Sequence, residues 1–160
     1  MTANLKLKVV IQEADFNVAQ LQSELLFPDA AEGACATFTG YVRGENLQRD
    51  VHSMSLEHYP QMTENSIHSI LQRAAKRWPL YAASVVHRVG KLHPGEQIVW
   101  VGVTSSHREA AFAACEFVMD YLKSEAPLWK KELGSQGGHW VDARDSDRAR
   151  LKRWGEDSKQ

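Results

Sequence analysis

Two lysines placed two helical turns apart, Lys123 and Lys130, are the residues best suited to chemistry in this sequence. The pKa of a lysine ammonium changes readily on burial, so the group can serve as proton donor, proton acceptor or amine nucleophile. Pro127 lies between them and predicts a bend, by ending one helix or by opening another at its first position. Such a bend can form a concave site. The alternative is a solvent-exposed Asp120–Lys123 ion pair without catalytic importance.

A second group of cations comes before these lysines in the chain. His107 and Arg108 fall at the predicted start of the same helix, where positive charge opposes the helix dipole unless an anion is bound. Arg43 lies between Gly40 and Gly44 in TGYVRG, and backbone N–H groups with a guanidinium can bind phosphate or carboxylate. A solvated surface residue is the alternative in each case. Together these cations favour an anionic ligand.

The hydrophobic pattern predicts the elements that position these side chains. Alternating and β-branched runs predict five strands, at residues 5–11, 33–42, 51–59, 81–89 and 98–104. Apolar residues at helical spacing predict three main helices. The first has Asp15 as its N-cap, the second extends from Pro60 to Pro79, and the third starts near His107 with Ser106 and Glu109 in capping-box spacing.

The order of these elements predicts the fold class. The strand 5–11 is expected at a sheet edge, and the turn sequence GKLHPGEQ predicts an antiparallel hairpin between 81–89 and 98–104. Residues 44–50, GENLQRD, are expected to form a loop, and a loop-rich tail is expected after the third helix. The predicted order is strand, helix, two strands, helix, two strands and helix. This order indicates an α+β protein with a mixed or antiparallel sheet.

The third helix is apolar over most of its circumference. Its polar residues fall on one narrow stripe, so it should pack on the sheet on one side and on another element or a second subunit on the other. Homo-oligomerisation is therefore expected. The stripe consists of Glu109, Glu116, Asp120 and Lys123.

Length and composition predict one domain at residues 1–154, with a frayed tail at 155–160. The chain of 160 residues has a formal net charge of −1, which argues against general binding to nucleic acids or anionic membranes. Neither a signal peptide nor an apolar run of about 20 residues is present, so a cytoplasmic location is expected. Cys35 and Cys115 lie in apolar runs and predict buried thiols. No metal-ligand spacing, P-loop or dinucleotide fingerprint occurs.

Four motifs in order carry a resemblance to a known family. TGYVRG, VGVTSSHREAAF, DYLKSEAPLWKKE and WVDARDSD, with their spacing, closely resemble the large, catalytic subunit of molybdopterin synthase over residues 5–154. The resemblance implies an α/β-hammerhead-type fold. It also implies a homodimer of large subunits that each bind one small sulfur-carrier subunit ending in Gly-Gly, a heterotetramer overall.

The activity implied by the resemblance is sulfur transfer in molybdenum cofactor biosynthesis. Two sulfurs from the carrier's C-terminal thiocarboxylate enter cyclic pyranopterin monophosphate and form the dithiolene of molybdopterin. No metal and no cofactor are expected, since the pterin is a substrate. By the same resemblance Lys123 and Lys130 are the catalytic lysines. The implied substrate-binding residues are Arg43, His107, Arg108, Lys131 and Arg144, with Arg144 a candidate contribution from the neighbouring subunit.

The residues themselves also bear on the sulfur source. Both cysteines lie in regular elements, and Gly137-Gly138 is internal, so the sulfur should come from a separate chain. Two other functions are compatible with the same cations. One is a non-enzymatic module that binds a phosphorylated metabolite or an acidic peptide tail. The other is a Schiff-base enzyme, which needs an unprotonated Lys123 and is disfavoured if Glu116 and Asp120 lie nearby.

Overall fold

The computed structural model describes residues 5–46, 49–134, 137–141 and 145–155. The fold is α+β, as the sequence predicts, with helices packed on a mixed sheet and an antiparallel sheet beside it. The strands are β1 Lys6–Gln12, β2 Ala34–Tyr41, β3 Glu45–Asn46, β4 Arg49–His58, β5 Leu80–Arg88, β6 Gly90–Leu92, β7 Gln97–Ser105, β8 Leu128–Gly134 and β9 Gly137–Val141. The helices are α1 Val18–Glu24, α2 Met62–Arg77, α3 Arg108–Glu125 and α4 Asp145–Arg150, followed by a 3₁₀ turn at Leu151–Trp154.

The first sheet has the strand order β1-β5-β7-β2. β1 runs parallel to β5, whereas β5, β7 and β2 pair antiparallel. The predicted hairpin between β5 and β7 and the predicted edge position of β1 are both confirmed. β2 forms the other edge of this sheet among the described residues.

The core lies on both faces of the first sheet. Helices α2 and α3 cover one face, where Val85 and Val101 pack with Ile70 and Phe117. The other face holds a smaller cluster around Trp100 beneath α1. Each helix therefore buries one apolar face against the sheet, which is the main source of its stability.

The second sheet is built around β4. Its order is β3-β4-β8-β9, and β6 pairs with the other edge of β4. After β5 the chain leaves the first sheet at Gly90, where φ is +85° and favours glycine. It adds β6 to the second sheet and returns as β7. An apolar cluster joins the two sheets, formed by Val42, Met54, Leu56, Val89 and Leu92.

Two predictions about irregular segments are wrong. The stretch after α3 is not a loop-rich tail, because β8 and β9 extend the second sheet and α4 with the 3₁₀ turn follows. The predicted loop 44–50 contains β3 and the first residues of β4, which pair with each other. The strand signal is weak in both places, because residues 45–50 are mostly polar and β8 contains the charged run KKE.

The N-cap of the first helix is also placed differently. Asn17 caps α1, and its side chain accepts a hydrogen bond from the Gln20 N–H at 3.1 Å. Asp15 instead accepts hydrogen bonds from the Phe16 N–H and from Gln97 Nε2, both outside the helix. These bonds, that from Gln97 most of all, hold the pKa of Asp15 below its usual range.

Two residues of the predicted polar stripe of α3, Glu116 and Asp120, are bound by the C-terminal segment. Asp120 is buried and accepts hydrogen bonds from Trp154 Nε1 and Arg150 Nε, each at 2.8 Å. Glu116 accepts from Arg150 at 2.5 Å and from Arg153. Hydrogen bonding by Arg153 is the main reason that the pKa of Glu116 is lowered. The second element expected against α3 is thus α2 on one flank and residues 145–154 on another.

The outer limits of the domain stay predictions. Residues 156–160, where a frayed tail is expected, lie outside the described residues. Within the described part of the chain, no helix combines the length and the apolar character needed to cross a membrane.

Candidate functional site

The lysine pair flanks a sharp change of direction. Lys123 lies exposed in the last turn of α3, and the helix ends where Ala126 adopts an extended conformation. The predicted bend at Pro127 is confirmed, but no second helix opens there, because β8 begins at Leu128. Pairing of β8 with β4 fixes this segment as a strand and overrides the preference of proline for a first helical turn. Lys123 therefore comes from a helix and Lys130 from a strand.

Adjacent lysines of β8 point to opposite faces of the second sheet. Lys130 pairs directly with Leu56 of β4, and Leu128 pairs with His58. Directly paired residues of an antiparallel ladder project to the same face, so Lys130 shares the face whose Leu56 packs between the two sheets. Lys131 lies on the opposite face with Trp129, which contacts the Tyr59 ring at a centroid distance of 4.2 Å. The structure thus separates the environments of Lys130 and Lys131.

His58 of β4 and Lys123 of α3 both lie close enough to His87 of β5 to act on its charge, and no sequence pattern selects either histidine as functional. His87 occupies the face of β5 that α2 and α3 cover, and its side chain is 7% exposed. Burial, with charge repulsion from Lys123 and His58, lowers the pKa of His87 to about 4. His58 ends β4 and lies 3.9 Å from Glu64 Oε1. The available signal was a histidine directly after Val85 and Val86 in a mostly apolar strand.

Arg43 lies at the same end of the first sheet as Lys123. It follows Val42, whose N–H donates to the Glu96 carbonyl at 2.9 Å and whose carbonyl accepts from the Gly95 N–H at 2.8 Å. Val42 also packs in the apolar cluster that Leu128 contacts at the start of β8. Because α3 runs back along β7, its C-terminal end comes to this end of the sheet. The side chain of Arg43 is exposed.

His107 and Arg108 lie at the opposite end of α3. His107 is the N-cap, Arg108 is the first helical residue, and both are exposed. The predicted start is confirmed, but the predicted capping box is wrong. The Ser106 hydroxyl lies 3.0 Å from the Tyr81 hydroxyl, and no side chain caps the first turn. Its N–H groups are therefore not bound by an N-cap side chain, which suits recognition of an anion.

The candidate residues of one chain consequently divide into two groups. His107 and Lys123 are separated by about 24 Å along the helix axis at 1.5 Å per residue. Arg43, Lys123 and Lys130 lie toward one end of the fold, and His107 and Arg108 toward the other. A ligand the size of a pterin cannot contact both groups of a single chain. Arg144 lies outside the described residues.

The acidic residues of α3 are occupied by C-terminal cations. Asp120 is 5% exposed and binds Trp154 and Arg150, so it is not available as half of a solvent-exposed pair with Lys123. Glu116 binds Arg150 and Arg153. The two acidic residues of α3 and the two arginines of the C-terminal segment therefore balance one another's charge. This cluster is separate from the face that Lys130 shares with Leu56.

Neither cysteine is suited to nucleophilic attack. Cys115 is buried in α3, and burial raises its pKa to about 12. Desolvation also raises the pKa of Cys35, which is partly buried in β2. A thiol reacts as the thiolate, so both side chains are poor nucleophiles at neutral pH.

Among the described residues, no group of three or more histidine, cysteine, aspartate or glutamate side chains is placed to hold a metal ion.

Comparisons with known proteins agree with the resemblance seen in the motifs. Residues 11–125 match the family model described as MoaE protein. A protein of Vibrio cholerae named molybdopterin synthase catalytic subunit is 52% identical over 147 residues, which are 92% of this chain and 97% of that protein.

Solved structures of similar proteins have the same fold. The molybdopterin biosynthesis MoaE protein from Burkholderia ambifaria superposes with a TM-score of 0.79 at 47% identity, covering 94% of this chain and 98% of that one. Molybdopterin synthase from Staphylococcus aureus gives a TM-score of 0.78 at 28% identity, with coverage of 83% and 96%. In both cases the likeness covers most of each chain.

Proposed function

The chain belongs to the MoaE protein family, and on this premise we propose that it is the catalytic subunit of a molybdopterin synthase in molybdenum cofactor biosynthesis. It transfers two sulfurs to cyclic pyranopterin monophosphate, one from the C-terminal thiocarboxylate of each of two small carrier subunits, whose tails are left as carboxylates. The observation that carries the proposal is the placement of Lys123 and Lys130 on either side of the bend at Ala126 and Pro127. We further propose that the reaction takes place in the cytoplasm.

The chemistry requires cations at this bend. The substrate carries a phosphate, the carrier tail ends in an acyl group, and attack by sulfur develops negative charge on the oxygen that leaves the reacting carbon. One preorganised donor at such a position contributes about 3 kcal/mol to the transition state. Lys123, at the end of a helix, acts as the acid–base group or stabilises that charge. Lys130 approaches from β8 and orients the terminal carbonyl of the carrier.

The two separated groups of candidate residues support a homodimer with shared sites. A second copy that brings its His107 and Arg108 to the Lys123 end of the first completes the set of cations for one phosphate. Phe38 and Tyr41 of the edge strand β2, together with Phe112 of α3, are exposed apolar side chains that such a contact would cover. With one carrier bound to each large subunit, the assembly is a heterotetramer. In this arrangement Arg144 binds substrate in the neighbouring subunit's site, and Lys131 binds it more peripherally.

The sulfur comes from the carrier and not from this chain. Cys115 is buried with a pKa raised to about 12, and the pKa of Cys35 is raised as well. A persulfide relay needs an accessible thiolate, which neither residue provides at neutral pH.

Reconstitution tests the proposal directly. The purified chain is mixed with a carrier that ends in a Gly-Gly thiocarboxylate and with cyclic pyranopterin monophosphate, and formation of the dithiolene is followed in a single turnover. We expect product with the wild-type chain and little with Lys123→Ala. Binding of both ligands without product would favour the non-enzymatic module instead. A Lys123→Ala variant with the wild-type rate would contradict the assignment of Lys123.

A further inference from the structure

Thr63 is a buried polar residue in the first turn of α2, and the proposed reaction gives it no role. Its side chain is fully buried, although a hydroxyl normally stays near water. A valine would fill the same space, so the hydroxyl needs a separate explanation. The other buried residues of the helix are all apolar, namely Ile67, Ile70, Leu71 and Ala74.

The Thr63 hydroxyl joins two segments that are distant in the sequence. It accepts a hydrogen bond from the Tyr59 N–H at 3.1 Å, and it lies 3.1 Å from the carbonyl oxygen of Pro127. A carbonyl oxygen only accepts hydrogen bonds, so the hydroxyl donates its single proton to Pro127. The hydroxyl thus acts as both donor and acceptor, and one of its partners is the residue at which the chain turns from α3 into β8.

Further contacts hold the segments on either side of this bend. Tyr59, which donates to Thr63, packs its ring edge-on against Trp129 of β8 at a centroid distance of 4.2 Å. On the other side, Arg73 of α2 donates a 2.6 Å hydrogen bond to Glu125 in the last turn of α3. The Thr63 hydroxyl contacts the chain between these two points, at the bend itself.

The bend determines how the two candidate lysines are placed relative to each other. α3 packs on the first sheet and β8 pairs in the second, so the bend joins two elements that are held separately. A strand rises about 3.3 Å per residue, so Lys130 lies about 10 Å beyond Pro127, and a rotation of about 6° at the bend moves it by about 1 Å. A displacement of about 1 Å in a reacting group can lower a rate about 100-fold.

We propose that Thr63 is a positioning residue for the lysine pair, because its hydrogen bond to the Pro127 carbonyl fixes the bend between Lys123 and Lys130. This inference rests on the proposed function, since it explains how that site keeps its geometry. Thr63 is too deeply buried to contact a ligand, so it acts through the backbone of the bend.

Two pairs of substitutions isolate the hydroxyl. Thr63→Val keeps the shape of the side chain and removes the oxygen, whereas Thr63→Ser keeps the oxygen and removes the methyl group. Thr63→Ala differs from Thr63→Ser only in the oxygen, and this pair replaces the first if Thr63→Val does not fold. Thr104→Val is the matched control. Thr104 of β7 is also fully buried, but its hydroxyl has no hydrogen-bond partner among the described residues.

Two measurements are made on each variant. In the reconstituted reaction, Thr63→Val should lower kcat about tenfold and change the KM for either substrate less than about twofold, because the lysines act in the chemical step. In the isolated large subunit, amide hydrogen exchange followed by NMR reports on the bend. The Leu128 N–H, which donates to the Ala126 carbonyl at 2.8 Å, should exchange about tenfold faster. Residues 82–87, in the middle of the first sheet, should exchange as in the wild type.

The expected pattern is recovery of most of both effects in Thr63→Ser and wild-type values in Thr104→Val. Equal losses in Thr63→Ser and in its partner of either pair would refute the role of the hydroxyl. A Thr63→Val variant that matches the wild type in kcat or in exchange at Leu128 would refute the proposal, and so would a similar loss of rate in Thr104→Val. If the wild-type chain makes no product but the exchange at Leu128 follows the expected pattern, the proposed function fails while the role of Thr63 in fixing the bend stands.

Discussion

Trp154 Nε1 donates a 2.8 Å hydrogen bond to Oδ2 of Asp120, a residue 34 positions earlier in the chain and three before Lys123. Arg150 Nε donates to the other oxygen of the same carboxylate. The Trp154 ring packs edge-on against Phe117 and Trp78. These contacts hold the C-terminal segment against the part of α3 that precedes Lys123.

Removing this carboxylate should weaken the whole fold. Asp120→Ala leaves a buried indole N–H without a partner and takes the main counter-charge from Arg150, so we expect the free energy of unfolding to fall by about 2 kcal/mol. Urea denaturation followed by tryptophan fluorescence measures it. Glu109→Gln, at an exposed position in the first turn of the same helix, is the control and should change stability by about 0.5 kcal/mol or less. Equal stability of the two variants would contradict the role of Asp120.

Acid should destabilise the protein through His87. The pKa of His87 is about 4 in the folded chain against 6.5 for an ordinary histidine, so the unfolded chain binds more protons between these two values. The contribution of His87 to the free energy of unfolding is then fully present above pH 6.5 and is lost as the pH falls toward 4. The loss between pH 7.5 and pH 5 should be about 2 kcal/mol. Denaturation of the wild type and of His87→Leu at both pH values isolates this contribution, and an identical pH dependence of the two proteins would disprove it.

Local pattern was sufficient to predict the regular elements of the first sheet. The hairpin of β5 and β7 and the edge strand β1 are predicted because a long β-branched run needs no tertiary partner to be recognised. The start of α3 near His107 was predicted as well. Its cap was not, because the Ser106 hydroxyl is bound by Tyr81, a partner 25 residues away that no local spacing reveals.

The second sheet and the surroundings of the candidate site could not be predicted, because they depend on pairing between segments that are distant in the sequence. The segment after Pro127 reads as a helix start or a loop until β4 is placed beside it, and only that register puts Lys130 and Lys131 on different faces. Likewise Asp120 resembled a surface acid until Arg150 and Trp154 were placed against it. The candidate lysines could be chosen from the sequence, but their surroundings required the fold.

The two lysines of β8 provide a matched pair of substitutions. Lys130→Ala removes a charge on the face shared with Leu56, so we expect the single-turnover rate of dithiolene formation to fall about 100-fold. Lys131→Ala removes the same charge from the opposite face and should lower the rate by less than about tenfold. Both variants keep the strand and its backbone pairing, as thermal melts should verify. Equal losses of rate would mean that the face of the strand does not determine the role of the lysine.

The cysteines should be almost unreactive in the native chain. With a pKa raised to about 12, Cys115 is ionised in only about one molecule in 10,000 at pH 8. Iodoacetamide should label both cysteines quickly in guanidinium chloride but slowly in the folded protein, Cys115 at the slower rate. Mass spectrometry after timed quenching gives the two rates. Rapid native labelling, or a persulfide trapped on Cys35 or Cys115 during turnover, would overturn the conclusion that sulfur comes from the carrier.

A shared site predicts complementation between two inactive chains. Arg108→Ala damages the helix-start group and Lys123→Ala the helix-end group, which lie about 24 Å apart in one chain. If each site combines one group from each copy, a mixed dimer contains one intact site and one site with both defects. Equal mixing after dissociation should restore about one quarter of the wild-type activity, because half of the dimers are mixed and each of these has one working site.

Mixing Lys123→Ala with Lys130→Ala is the control and should restore almost none, since both defects lie in the same group. Recovery in neither mixture would show that His107 and Arg108 of one copy do not serve the lysines of the other.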